Sequence, residues 1–362
     1  MFRRLMMVVA LVALVFVAVP VRAQSSGPAQ QAASWIRTQQ QPDGGFAGFG
    51  ISSTADALYA LAAAGIKADD VKVGGKNAQM FIEANVAEIA KKPGVAAKFV
   101  LAELLTGHDP RSVAGTDLVA VVNASYNAET GVYGADVTTH ALALLALVAA
   151  GEPMGGKAVN ATLAFQLDDG SWSFTGDRTP LGGDTNTTSL VIQALVAAGQ
   201  RNTAAVEQAL AYLVTQRNAD GGFPYSQGSE YGTASDANST ALVIQAIVAT
   251  SGNPTAGQWA DANGNPVAAL LALQNSSGAF RYDAATPEDN AFATYQAVPA
   301  LLSRSFPLED IAILLPAPAP APAPGPVELP NTSQPSKPLV PALVLIGCAG
   351  LALGAGLRRR AA

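Results

Sequence analysis

The sequence predicts an all-α fold in which six helical hairpins close into a double ring, an (α/α)6 toroid. Three observations carry this expectation. Residues 28–310 repeat one pair of segments, the second segment of each pair is apolar almost all round, and the first is amphipathic. An element that is apolar on every side must be covered on every side, so the second segments form an inner ring and the first segments an outer one. Closure lets the first and last units cover each other, so the array needs no polar end caps.

The inner helices start at short polar caps and end near glycine. They run from Thr54 to Gly65, Val95 to Gly107, Val137 to Gly151, Thr185 to Gly199, Ala237 to Gly252, and Asn290 to Leu302. The five glycines follow one another at 42, 44, 48 and 53 residues, a period suited to a helical hairpin. Polar side chains at the starts cap orphan backbone amides, with Asp56, Asp136, Asp184, Asp236 and Asp289 as the expected acidic caps. Glycine at the ends permits the left-handed closing conformation. The outer helices are expected at 28–41, 75–91, 114–127, 156–166, 202–217 and 265–275.

A second signature closes the outer helices. It reads Gln41-Pro-Asp-Gly-Gly-Phe46, Gln166-Leu-Asp-Asp-Gly-Ser-Trp172, Gln216-Arg-Asn-Ala-Asp-Gly-Gly-Phe223 and Gln274-Asn-Ser-Ser-Gly-Ala-Phe280, with a weaker copy at Asn127–Tyr133 and none in the second repeat. Glycine supplies a tight turn, the aromatic packs between hairpins, and Gln is placed to bond exposed amides at the start of the adjacent helix.

The ends carry addresses rather than fold. Arg3 and Arg4 precede an apolar run and the small-residue site Val21-Arg22-Ala23, which predicts a secretory signal peptide over residues 1–23. The domain expected at 24–315 is followed by a Pro-Ala stalk at 316–338, whose 23 residues would span roughly 70 Å as polyproline II. Residues 339–357 are apolar and uncharged, long enough for a transmembrane helix, and Arg358–Arg360 in the tail 358–362 are expected to stay cytoplasmic. Leu329-Pro330-Asn331-Thr332-Ser333, the apolar span and the Arg tail together resemble an LPxTG cell-wall sorting signal, with Ser333 where that class has Gly. The resemblance implies a surface anchor and a possible sortase partner.

Charge separates in the same way. The 362-residue chain is 49% hydrophobic and 13% charged, with a formal charge of -6. Without the six terminal bases, 15 Lys and Arg face 27 Asp and Glu, which excludes a basic nucleic-acid face. The one cysteine, Cys348, lies in the apolar span, so the domain has no thiol for a disulfide or a zinc site.

The Gln…Gly-x-aromatic turns resemble the QW motifs of squalene and hopene cyclases, and residues 28–310 resemble the prenyltransferase and squalene-cyclase repeat superfamily. The resemblance implies the six-hairpin α/α toroid, and relatives on that fold include cyclases, prenyltransferases, thioester domains and cobalamin carriers. Class II cyclases of this superfamily protonate an alkene with the middle Asp of a DxDDTA motif. The matching segments here are Asp184-Thr-Asn186-Thr-Thr-Ser and Asp236-Ala-Asn238-Ser-Thr-Ala, so Asn186 or Asn238 stands where the acid would be, and a carboxamide cannot serve. The prenyltransferase zinc ligands and the Cys-Gly-Glu-Gln thioester are absent. Asp261-Ala-Asn-Gly-Asn265 resembles the start of a calcium loop without its later bidentate acid, so no metal and no cofactor is expected.

What remains is a mouth. If the inner helices run parallel, their positive N-termini converge where the longest connections enter, and those carry Trp172, Phe174, Arg178, Tyr225, Tyr231 and Tyr282. With Asp184, Asn186, Asp236, Asn238 and His140, these are the candidate ligand-binding residues. The expected function is a non-catalytic surface module binding a hydrophobic small molecule or a surface partner. The alternatives are a cyclase- or prenyltransferase-like enzyme acting on a polyprenyl substrate through Asp184, Asp168 or Asp169, and a purely structural spacer.

Overall fold

A computed structural model of the chain describes residues 27–178, 182–230 and 232–307. The expected signal segment, stalk, LPNTS sequence, apolar span and basic tail lie outside the described residues. Among the described residues no helix is long and apolar enough to cross a membrane.

Six helices form the inner ring: α2 (Ser53–Ala63), α4 (Pro93–Thr106), α6 (Val137–Ala149), α8 (Thr185–Ala197), α10 (Ala237–Ala249) and α12 (Ala291–Leu301). Each packs on its sequence neighbour in this series, and α12 packs on α2, so the ring closes. The outer helices are α1 (Pro28–Arg37), α3 (Ala78–Ile89), α5 (Leu118–Ala124), α7 (Ala158–Ala164), α9 (Ala204–Gln216) and α11 (Pro266–Leu271). Most ride on the inner helix that precedes them, and α1 rides on α12, the last helix of the ring.

The outer helices are shorter than the sequence pattern suggests, for a local reason. The polar residues at their starts are caps: Asn77, Asp117 and Asn265 accept from the backbone N–H groups of Met80, Ala120 and Ala268 and lie outside the helices. Inner caps also need correction. Asp136, Asp184 and Asp236 cap as expected, by accepting from Thr139, Thr187 and Ser239. Asn290, not Asp289, caps α12, and Asp56 lies inside the first turn of α2. Gly65, Gly107, Gly151 and Gly199 take the left-handed conformation at the ends, but after α10 it is Ser251 that does so.

The Gln–Gly–aromatic turns are the fasteners of the ring, with bonds that differ from the expected ones. In three of the four turns Gln donates to carbonyls, and only Gln216 accepts from an amide, that of Gln227 in its own connection, at 2.8 Å. Gln166 Nε2 reaches Gly170 O at 2.9 Å and Ala205 O at 2.8 Å, and Gln274 Nε2 reaches Gly278 O and, across the closure, Pro28 O, both at 2.9 Å. In the first turn Gln40, not Gln41, bonds Gly44 O. Each turn glycine meets the start of the next outer helix: a Cβ on Gly170 would lie 2.5 Å from Gln208 O, and one on Gly278 would lie 2.8 Å from Gln31 O.

The aromatic of each turn is fixed by a side chain of the following inner helix. The amides of Phe46, Trp172, Phe223 and Phe280 donate to Thr54, Thr188, Thr240 and Thr294 Oγ1 at 2.8–3.0 Å, and the Tyr133 amide donates to His140 Nδ1 at 3.0 Å. These bonds set the axial register of the inner helices.

Gly278→Ala should therefore destabilise the protein at least twice as much as Gly65→Ala. Both force alanine into the left-handed region at about 1 kcal/mol, but only position 278 adds a clash across the ring closure, since the space at Gly65 is open. Urea unfolding of the two variants measures the difference; equal losses would mean that the closure carries no special constraint.

Candidate functional site

The fixed register decides which side chains face the bore. At four of the five fastening positions the residues two before and two after line it: Ser52, which precedes α2, and Asp56 on α2, Thr138 and Leu142 on α6, Asn186 and Leu190 on α8, and Phe292 and Gln296 on α12. On α4, which has no fastener, Gly94 and Lys98 hold the same two levels, and α10 adds Leu242. The N-terminal ends of the inner helices thus surround a central cavity of about 880 Å³, as expected for parallel inner helices.

One layer of the bore contains Asp56, Lys98, Leu142, Leu190, Leu242 and Gln296. Within it Lys98 Nζ lies 2.7 Å from the Asp56 carboxylate, with about four-fifths or more of each side chain shielded from solvent. Burial pushes the Asp56 carboxyl up, and the ammonium beside it pulls back down. The Tyr59 hydroxyl, one turn deeper, donates to Lys98 O at 2.5 Å. Asp136 also reaches the cavity, but both of its oxygens accept from Thr139.

At the rim the long connections bond sideways. The N–H of Val137 donates to Phe174 O, that of Thr185 to Tyr225 O and that of Ala237 to Tyr282 O, at 2.8–3.0 Å. Phe174, Tyr225 and Tyr282 therefore occupy one position in successive repeats, with half-exposed rings around the opening. A second hollow of about 420 Å³ beside the mouth joins Asn186, Tyr225, Asp236, Asn238, Tyr282 and Asp283. Asp236 there accepts from the Ser239 amide and hydroxyl, both at 2.8 Å, and burial lifts its carboxyl to about 6.

Phe174, Asn186 and Tyr225 of the sequence candidates thus line the central cavity, and Asp236, Asn238 and Tyr282 join Asn186 and Tyr225 in the side hollow. Asp184 is buried behind the rim. Its Oδ1 accepts from the Thr187 amide at 2.6 Å and its Oδ2 has no partner at ordinary hydrogen-bond distance; burial raises the acid, and Thr187 first and the Tyr225 hydroxyl after it pull it part of the way back down.

The remaining candidates fall elsewhere. Trp172 is fully buried and donates its indole N–H to Thr162 O, so it is core and not rim. His140 is likewise enclosed. Its Nδ1 accepts from Tyr133, which puts the proton on Nε2 facing Thr162 Oγ1 at 2.9 Å, and burial lowers its basicity. It does in its repeat what threonine does in four others. Asp168 and Arg178 pair at the surface, and Asp169 caps its own turn by accepting from Ser171, so neither acid reaches the bore. Tyr231 lies outside the described residues. Among the described residues no three His, Cys, Asp or Glu side chains gather as metal ligands.

Sequence reasoning missed the Asp56–Lys98 pair. The available signal was charge inside helices otherwise apolar all round: Asp56 alone in α2, and Lys98 together with Glu103 in α4.

A family model described as the prenyltransferase alpha-alpha toroid domain matches residues 3–250. The chain belongs to this family. Within the toroid fold, solved structures similar to it include a protein from Actinoplanes, at 14% identity and a TM-score of 0.54 over 76% of this chain and 98% of that one. The type II terpene cyclase MstE from Scytonema gives 13%, 0.53, 76% and 96%. Haptocorrin in complex with Cbi gives 13%, 0.50, 77% and 66%. At such identities the likeness is one of fold. No curated protein matches the chain.

Removing Lys98 leaves the toroid with an unpaired buried carboxyl. Lys98→Met should cost about 2–3 kcal/mol near neutral pH. The sign follows from the Asp56 carboxyl, whose folded-state value is raised by burial and rises further without the ammonium. Stability from such a group is full below the ordinary carboxylate value and lost as pH rises through the folded value. The deficit of Lys98→Met should therefore be largest near pH 7 and shrink below pH about 4; urea unfolding at the two pH values checks this, and a pH-independent deficit would show that Asp56 is not the group responsible.

Proposed function

We propose that this toroid is a binding module for a hydrophobic small molecule, seated in the central cavity with its apolar body against Leu142, Leu190, Leu242 and Phe292 and any polar group toward the Asp56–Lys98 side. The observation that carries this reading is the cavity itself: about 880 Å³, walled largely by apolar side chains, with both lining carboxylates already engaged. An alkene-protonating acid must be a free, protonated carboxyl, and an aspartate held by an ammonium is neither. Asn186, in the position of the cyclase acid, lines the same cavity as a carboxamide. The sequence of the two ends supports display of this module outside the membrane, on a stalk with a membrane or wall anchor and a possible sortase partner.

A second reading has one observation behind it. Asp184 is buried, its Oδ2 is without a partner at ordinary distance, and burial favours its protonated form, so it has the attributes of a proton donor for an isoprenoid substrate. MstE, similar in fold, has been captured with geranylgeranyl dihydroxybenzoate as substrate.

Two measurements separate the readings. Calorimetric titration with farnesol should show saturable binding that weakens more than tenfold in Leu190→Trp, where the indole fills the cavity, while unfolding stability changes by about 1 kcal/mol or less. Incubation with squalene and geranylgeranyl diphosphate should leave both unchanged; a product lost in Asp184→Asn would replace the binding reading with the enzymatic one.

A further inference from the structure

We infer that Phe306, which belongs to none of the six hairpins, is the floor of the cavity and sets the length of ligand it accepts. The inference rests on the binding reading above and adds what determines specificity. After α12 ends at Leu301 the chain turns back into the ring, and the Phe306 ring meets Tyr59 of α2 edge-on at 4.9 Å between centroids. The Phe306 amide donates to Gln193 Oε1 of α8 at 2.9 Å. In the closed order of inner helices, α2 and α8 are the first and the fourth of six and face each other across the bore. A residue that touches both lies on the axis.

Its depth is fixed by the same helices. Asn186 stands at the mouth level and Gln193 seven residues further along α8, about 10 Å deeper at 1.5 Å per residue. Phe306 also lines the central cavity, so its ring is the surface a ligand meets at the bottom. Gln193 is fully buried, and its carbonyl oxygen is taken by this one amide of the returning chain. The repeats therefore build a bore, and the segment after them makes it blind. Trimming Phe306 opens space below the Tyr59 level, while enlarging it shortens the cavity.

The test uses the full chain and a series of linear 1-alkanols from eight to twenty carbons, titrated by displacement of the fluorophore 1-anilinonaphthalene-8-sulfonate. In the wild type, affinity should rise about fourfold per added carbon, the factor for one buried methylene, and stop rising at a limiting length. In Phe306→Ala the rise should continue for at least two more carbons, and in Phe306→Trp it should stop earlier. Crystal structures of the wild type and of Phe306→Ala give a readout that needs no ligand: the bore should be closed by the Phe306 ring in the first and extended past Tyr59 in the second. A limit at the same length in three proteins that all bind, or a bore still closed at that level in Phe306→Ala, overturns the role of Phe306 and leaves the binding reading standing. Failure of every alkanol to bind any of the three overturns both.

Discussion

The structure depends on one repeated hydrogen bond, from the backbone N–H of an aromatic residue in the turn to a side chain in the first turns of the next inner helix. Thr54, His140, Thr188, Thr240 and Thr294 each accept it. A buried amide left unpaired costs more than a typical bond contributes, so this contact admits little sliding along the helix axis. With the helix locked axially and rotationally, the residues two before and two after the acceptor are directed into the bore, except Asn238 of α10, which lines the side hollow. The cavity is thus a consequence of the fastening register, and the rim of Phe174, Tyr225 and Tyr282 follows from the same register one connection further out.

This explains what was legible in the sequence and what was not. The ring was legible because closure, repeat period, apolar inner helices and glycine turns are properties of every unit, and six noisy copies reinforce one another. The caps at Asp136, Asp184 and Asp236 were legible because an acidic residue before an apolar run has a local physical use. Trp172 and His140 were misplaced because their role is in the fastener, and a long connection containing aromatics looks the same whether it folds down or stands out. Trp172 packs down while Phe174, two residues on, stays at the opening. Asp56 was read as a cap because it is close to a helix start, but a cap must precede the helix, and α2 begins at Ser53. Phe306 gave no signal at all, since the bond from its backbone to Gln193 depends on a chain reversal that no periodicity records.

The departures from the repeat carry the chemical interest. The second unit lacks the Gly–aromatic turn, and its inner helix begins with Pro93 and has no side-chain cap. At the level where three other inner helices present leucine, this one presents Lys98, and the preceding helix presents Asp56. A single charge at that depth would be expelled or neutralised, because the bore is walled by leucine and phenylalanine. Two opposite charges on adjacent helices can stay, since each satisfies the other at 2.7 Å.

Adjacency has a further effect on the shape of the field in the cavity. A pair formed across opposite helices would lie on the axis and block the bore. Formed between neighbours, it lies against one wall, leaving Leu142, Leu190 and Leu242 as a continuous apolar wall on the other side. The cavity therefore has a polar side, an apolar side and, through Phe306, an end. A bore with six-fold repetition would hold an elongated apolar molecule in any rotation about its axis. The ion pair removes that degeneracy, because a ligand that turned a polar group toward the leucines would leave it unpaired in apolar surroundings, at a cost of about 1–3 kcal/mol. For a ligand seated as proposed, orientation would come from one off-axis pair and affinity from the wall that repetition builds.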